Sequence, residues 1–106
     1  MRRIAVVDDN PSERLVLKGF LEEAGLLIAA EGASGAEALD ICRRSSPDLL
    51  IMDVKRPGKD GIEAAEEIGR QCPTPIVLLT GSGDEETIRR AADAGVMGYL
   101  MKPVRA

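Results

Sequence analysis

The chain has 106 residues, 44% hydrophobic and 30% charged, which is the size of one domain with enough apolar side chain for a core and enough charge to coat it. Its 14 Lys and Arg against 18 Asp and Glu leave a formal charge of −4, so direct nucleic-acid binding by this domain, which needs cations on phosphates, is not expected. It has no His, and that removes Ser-His-Asp and Cys-His catalysis, most zinc chemistry and imidazole pH switching. Cys42 and Cys72 belong to no C-x-x-C pair and read as buried, reduced thiols.

Met1-Arg2-Arg3 leads into only four apolar residues, Ile4-Ala5-Val6-Val7, before Asp8-Asp9. That run is too short for a signal-peptide core or a membrane span, so a cytoplasmic protein is expected. It reads as a first strand. Asn10 with Pro11 and Glu13 then opens a helix whose apolar positions Leu17, Phe20, Leu21 and Ala24 share one face, with Gly25 closing it. Leu26-Leu27-Ile28-Ala29 gives a second strand. Ser34 with Glu37 opens a second helix carrying Ala38, Ile41 and Cys42. Leu49-Leu50-Ile51-Met52 is a third strand, and Asp60 with Glu63 starts a third helix over Ala64, Ala65 and Ile68. Ile76-Val77-Leu78-Leu79 is a fourth strand. Ser82 with Glu85 starts a fourth helix over Ile88, Ala91 and Ala92 that ends at Gly95, and Tyr99-Leu100-Met101 is a fifth strand.

None of these strands alternates polar with apolar, which suits burial on both faces of a parallel sheet. The order β-α-β-α-β-α-β-α-β predicts an α/β fold, an open five-stranded parallel sheet with helices on both faces. In such sheets ligands sit beyond the carboxyl ends of the strands. Those ends carry Asp8 and Asp9, Asp53, Thr80 and Lys102.

Three carboxylates within a few Å repel one another and call for a proton or a cation. A hard ion such as Mg²⁺, which takes oxygen ligands and works alongside phosphate, is the natural one. Lys102 and Thr80 suit the oxygens of a phosphoryl group, and without His or a reactive Cys the available nucleophile is a carboxylate, with Asp53 the central candidate. Taken singly, Asp8-Asp9 reads equally as a turn and cap, Thr80 as a helix cap, Lys102 as a solvated lysine and Tyr99 as core. Pro57 and Gly61 read as loop geometry.

The Asp8-Asp9 pair, D-V-K-R-P-G-K-D-G from Asp53 to Gly61, L-L-T-G from Leu78 to Gly81 and A-G-V-M-G-Y-L-M-K-P from Ala94 to Pro103 together resemble the receiver domain of bacterial two-component response regulators, typified by the single-domain chemotaxis regulator. The likeness spans 1–106 and implies the flavodoxin-like strand order 2-1-3-4-5. It implies that Asp53 accepts a phosphoryl group from a histidine kinase or a small donor such as acetyl phosphate. Mg²⁺ would be held by Asp9, Asp53 and the carbonyl of Lys55, with Asp8 acting largely through water. Lys102, before a cis Pro103, would pair with a phosphoryl oxygen, while Thr80 and Tyr99 would move as the switch. Two stretches are also similar to receivers of RNA-binding antiterminator regulators.

The chain departs from the common pattern at Lys55, Arg56 and Lys59, three cations beside the acceptor. These read as solvent-exposed charge or as a charge, best placed at Lys55, that alters phosphoryl lifetime. It departs again after Pro103, where the family places a final helix and this chain has only Val104, Arg105 and Ala106. Part of one sheet face is then expected to lack cover, which points to a shortened chain or to cover by another molecule, a homodimer included. An output domain or protein downstream is the remaining implied partner. Two other classes of function stand against the switch: a receiver-like interaction module that never uses its acidic pocket, and an α/β enzyme or flavin carrier. The second lacks both a Ser/Thr/Gly-rich phosphate loop and a D-x-D nucleophile after the first strand.

Overall fold

Continuous runs of β-branched and aliphatic residues extend the backbone, and their burial follows from pairing on both edges. The strands are β1 (Arg3–Val7), β2 (Leu27–Gly32), β3 (Leu49–Val54), β4 (Ile76–Thr80) and β5 (Gly98–Met101). They form one sheet in the order β2-β1-β3-β4-β5, and every pairing is parallel. Helices α1 (Pro11–Glu23), α2 (Gly35–Ser45) and α3 (Asp60–Gln71) connect them. The computed structural model describes residues 2–54, 60–80, 89, 92–93 and 95–101, with the backbone alone at 54, 60, 61, 80 and 99–101. The fourth helix expected from Ser82 and Glu85 therefore lies largely outside the described residues, although Arg89, Ala92 and Asp93 are helical.

Two apolar clusters sandwich the sheet. Because side chains alternate along a strand, Ala5, Val7, Leu50, Met52, Ile76 and Leu78 face α2 and α3, where they meet Ile41, Cys42, Ile62 and Ile68. The alternate residues Ile4, Val6, Ile51 and Leu79 meet Leu17 of α1. The α1 side is the thinner one among the described residues: Leu49 and Val77 stay half-buried there, and Leu15 and Val16 are 66% and 57% exposed.

The helix ends follow local chemistry. Gly25 takes φ +87°, and the Leu26 N–H donates to Leu21 O at 3.0 Å while the Gly25 N–H donates to Glu22 O at 3.0 Å, the paired bonds of a Schellman close. Gly95, also at positive φ, matches the sequence reading as well. At the start of α2, Glu37 accepts the N–H of Ser34 at 3.0 Å and of Ala33 at 2.8 Å, and the Ala33 bond, foremost, holds its carboxyl below the usual value. The end of α2 carries no glycine signal. Ser46 is left-handed at φ 45°, and the Arg3 guanidinium donates to the carbonyl oxygens of Ser45 and Ser46, which supplies partners for backbone groups that the last turn leaves unbonded.

Several boundaries differ from the sequence reading. β3 and β4 run on through Val54 and Thr80, since the β3–β4 ladder pairs Asp53 with Leu79 and Val54 with Thr80. Asp53 and Thr80 are thus strand residues, not residues that follow a strand. Asp60 is the first residue of α3, not a cap ahead of it, and Ala24 caps α1 from an exposed position. β2 is half exposed because it is an edge strand paired only with β1 among the described residues. Of the two thiols, Cys42 is buried and Cys72 only half-buried. Burial pushes the Cys42 thiol above its usual value.

The edge strand is tied to α1 by charge. Glu31 accepts from Arg14 at 3.0 Å and from Lys18 at 2.7 Å, and the Lys18 hydrogen bond, foremost, holds the Glu31 carboxyl below its ordinary 4.5. A depressed folded value means stabilisation that is present above 4.5 and lost as pH falls through the lower folded value. Replacing Glu31 by Gln should therefore lower stability near neutral pH and remove part of the acid limb below that value, read from urea midpoints against pH. On the opposite side, Ile68→Ala in the α2–α3 cluster should cost roughly 2–5 kcal/mol, while Val16→Ala should change stability by less than about 0.5 kcal/mol; urea unfolding of both variants checks which helix face is buried.

Candidate functional site

The carboxyl edge of the sheet is where the strand alternation delivers acid side chains. β1 places Ile4 and Val6 on the α1 side, and Asp8 continues that phase; β3 places Leu49 and Ile51 there, and Asp53 continues it. β1 and β3 are adjacent, in register from Ile4 with Leu49 to Val7 with Met52. Asp8 and Asp53 consequently stand side by side. Asp8 is held firmly: its N–H donates to Gly32 O at 3.0 Å, and its side chain is buried, the residue being 3% exposed. Asp53 is half-buried with both carboxylate oxygens shielded from solvent.

α1 supplies a third acid from above. Asn10 caps the helix, its Oδ1 accepting the N–H of Ser12 at 2.9 Å and of Glu13 at 3.1 Å. Asp8 Oδ1 in turn accepts the Asn10 N–H at 2.9 Å, so the strand end and the helix start are locked together. One carboxylate oxygen from each of Asp8, Glu13 and Asp53 lies within 4.8 Å of the other two. At 4.8 Å and an effective dielectric of about 20, two unit negative charges repel by roughly 3.5 kcal/mol. Arg14, paired with Glu31, also donates to the Asp8 carbonyl oxygen.

Of the residues singled out in the sequence, the structure brings Asp8 and Asp53 together. Asp9 is exposed and stands outside the three-carboxylate group. Thr80 closes β4 opposite Val54, and Tyr99 lies in β5 beside Leu78; their side chains are outside the described set. Lys55, Pro57, Lys59, Lys102 and the Lys102-Pro103 bond lie outside the described residues altogether. Glu13 was assigned only to the helix cap by sequence reasoning. The available signal was its place in the first turn, three residues beyond a cap that directly follows the Asp pair.

An all-carboxylate oxygen set at this spacing suits a hard divalent cation such as Mg²⁺, which neutralises the repulsion and keeps water or phosphate in its remaining positions. The residues present fit that ion. No described helix is long and apolar enough to cross a membrane.

Comparison with known proteins agrees with this geometry. Residues 4–106 match the response regulator receiver domain family. The transcriptional regulatory protein PdtaR of Mycobacterium tuberculosis is 43% identical over 102 residues, covering 96% of this chain and 50% of that protein. The chemotaxis protein CheY of Halobacterium salinarum is 38% identical over 103 residues, covering 96% of this chain and 85% of that protein. Among solved structures, the receiver domain of the response regulator NarL from Mycobacterium tuberculosis superposes with a TM-score of 0.89 at 27% identity, over 98% of this chain and 86% of that one. The chain spans about half the length of PdtaR. With the family's strand order, its acidic carboxyl edge and a match over nearly every residue, this chain belongs to the receiver domains of two-component response regulators.

Proposed function

We propose that the chain is a phospho-accepting switch in which Asp53 takes a phosphoryl group from a histidine kinase, or from a small donor, with Mg²⁺ bound at the acidic edge. The observation that carries this reading is the convergence of Asp53 with Asp8 and Glu13 at the end of a central strand. A carboxylate there has its oxygens out of bulk water, and a cation beside it lowers the cost of bringing an anionic phosphorus centre close. In the transfer, a carboxylate oxygen of Asp53 forms a bond to phosphorus as the donor's P–N or P–O bond breaks, and the leaving imidazole or carboxylate carries away that electron pair.

Within this reading Asp8, Asp9, Asp53 and the carbonyl of Lys55 hold the ion. Lys102 and Thr80 bind the phosphoryl oxygens, and Thr80 and Tyr99 shift as the charge arrives. The protein works in the cytoplasm, the unit 1–106 acting as one receiver whose output is read by a further domain or partner protein. It catalyses only its own phosphorylation and dephosphorylation.

Incubation with Mg²⁺ and acetyl phosphate should add the mass of one phosphoryl group to the native chain and none to Asp53→Ala; with Mg²⁺ and beryllofluoride, amide chemical shifts around Asp53, Thr80 and Tyr99 should move. A native chain that gains no mass and shows no shift would instead be an interaction module that leaves the pocket unused.

A further inference from the structure

β1 ends at Val7, so Asp8 is the first residue whose course the strand ladder no longer dictates. Three hydrogen bonds take over there. The Asp8 N–H donates to Gly32 O at 3.0 Å, its Oδ1 accepts the Asn10 N–H at 2.9 Å, and its carbonyl oxygen accepts from Nη1 of Arg14. The third bond closes a circuit, because the Arg14 N–H donates to Asn10 O at 2.9 Å. Arg14 thus opens the hydrogen-bonded part of α1 and reaches back across the turn to the end of β1.

The same guanidinium is anchored on β2. Its Nε donates to Glu31 Oε1 at 3.0 Å, while Lys18 holds the other Glu31 oxygen at 2.7 Å. A planar guanidinium presents its donors in a fixed fork, which a lysine ammonium cannot copy. One rigid group therefore ties the edge strand to the main chain of Asp8. A cation in the opening turns of a helix opposes the helix dipole, so helix formation itself gives no reason for an arginine at this place.

We propose that Arg14 is a positioning residue of the phospho-acceptor edge: braced on Glu31, it fixes the Asp8 carbonyl and the turn that follows, and so holds the Asp8 carboxylate in place beside Asp53. The role rests on the switch reading proposed above. It acts through the main chain, and that gives its loss a direction opposite to that of charge. Removing a cation near grouped carboxylates makes the edge more negative, which by field alone favours a divalent ion. Loosening the turn disfavours it.

The test compares the native chain, Arg14→Met and Lys18→Met. Lys18 shares Glu31 and carries the same charge but, among the described residues, reaches no group of Asp8. Acetyl phosphate labelling across a Mg²⁺ series should show Arg14→Met needing about tenfold more Mg²⁺ for half-maximal rate, and Lys18→Met needing no more than the native chain. Without Mg²⁺ or donor, amide exchange should quicken several-fold at Asp8 and Asn10 in Arg14→Met alone. The Leu50 N–H, bonded to Pro75 O inside the sheet, should keep its native rate relative to global unfolding measured in urea. An unchanged or lowered Mg²⁺ requirement in Arg14→Met, native exchange at Asp8 and Asn10, or an equal rise in Lys18→Met overturns the positioning role and leaves the switch standing. A native chain that gains no phosphoryl mass overturns the switch reading, and this role with it.

Discussion

The repulsion between Asp8 and Asp53 is the constraint around which the rest of the molecule is arranged. Parallel pairing of β1 with β3 fixes the two strand ends as neighbours, and side-chain alternation then sends both carboxylates to the same side of the sheet. A single-residue change of phase in either strand would turn one of them toward α2 and α3 and separate the charges. The apolar residues below, Val6 and Ile51, hold that phase, because slipping it would expose them and bury polar groups in their place. Hydrophobic burial therefore sustains the close approach of two like-charged side chains, an arrangement suited to a hard divalent cation.

The two sides of the sheet divide the work. α2 and α3 cover a continuous apolar cluster in which Ile41, Ile62 and Ile68 are almost fully buried, and none of the three clustered carboxylates belongs to those helices. The α1 side carries the clustered carboxylates and less packing among the described residues. One turn of α1 contributes Asn10 as cap to the backbone, Glu13 to the carboxylate group and Arg14 to the Asp8 carbonyl and Glu31. Close packing gives the first face its stiffness, whereas on the second a smaller apolar cluster around Leu17 is joined by the polar contacts of Asn10 and Arg14.

The architecture was largely legible in the sequence because its signals are local. Five apolar runs, Gly25 and Gly95 at helix ends, and Asn10 and Ser34 at helix starts each have one dominant physical cause, and strand order followed once the family likeness was recognised. What was missed depends on neighbours. The strand extensions to Gly32, Val54 and Thr80 arise from ladder pairing, which single-strand hydropathy does not contain. Ser46 ends α2 in a left-handed conformation with Arg3, distant in sequence, bonding to the Ser45 and Ser46 carbonyls. Cys72 has the same composition signal as Cys42, and only packing separates their exposures.

Glu13 is the instructive case at the site. Its spacing from Asn10 is that of a capping box, and the sequence offers no hint that the cap N–H is already used. The competing acceptor is Asp8, which precedes the cap by two residues and bonds to it across a turn. A carboxylate two residues before a cap can thus take the bond that the one three residues after it would otherwise make. In this chain Glu13 brings a carboxylate oxygen within 4.8 Å of those of Asp8 and Asp53, so it belongs to the charged edge as well as to the first turn of α1.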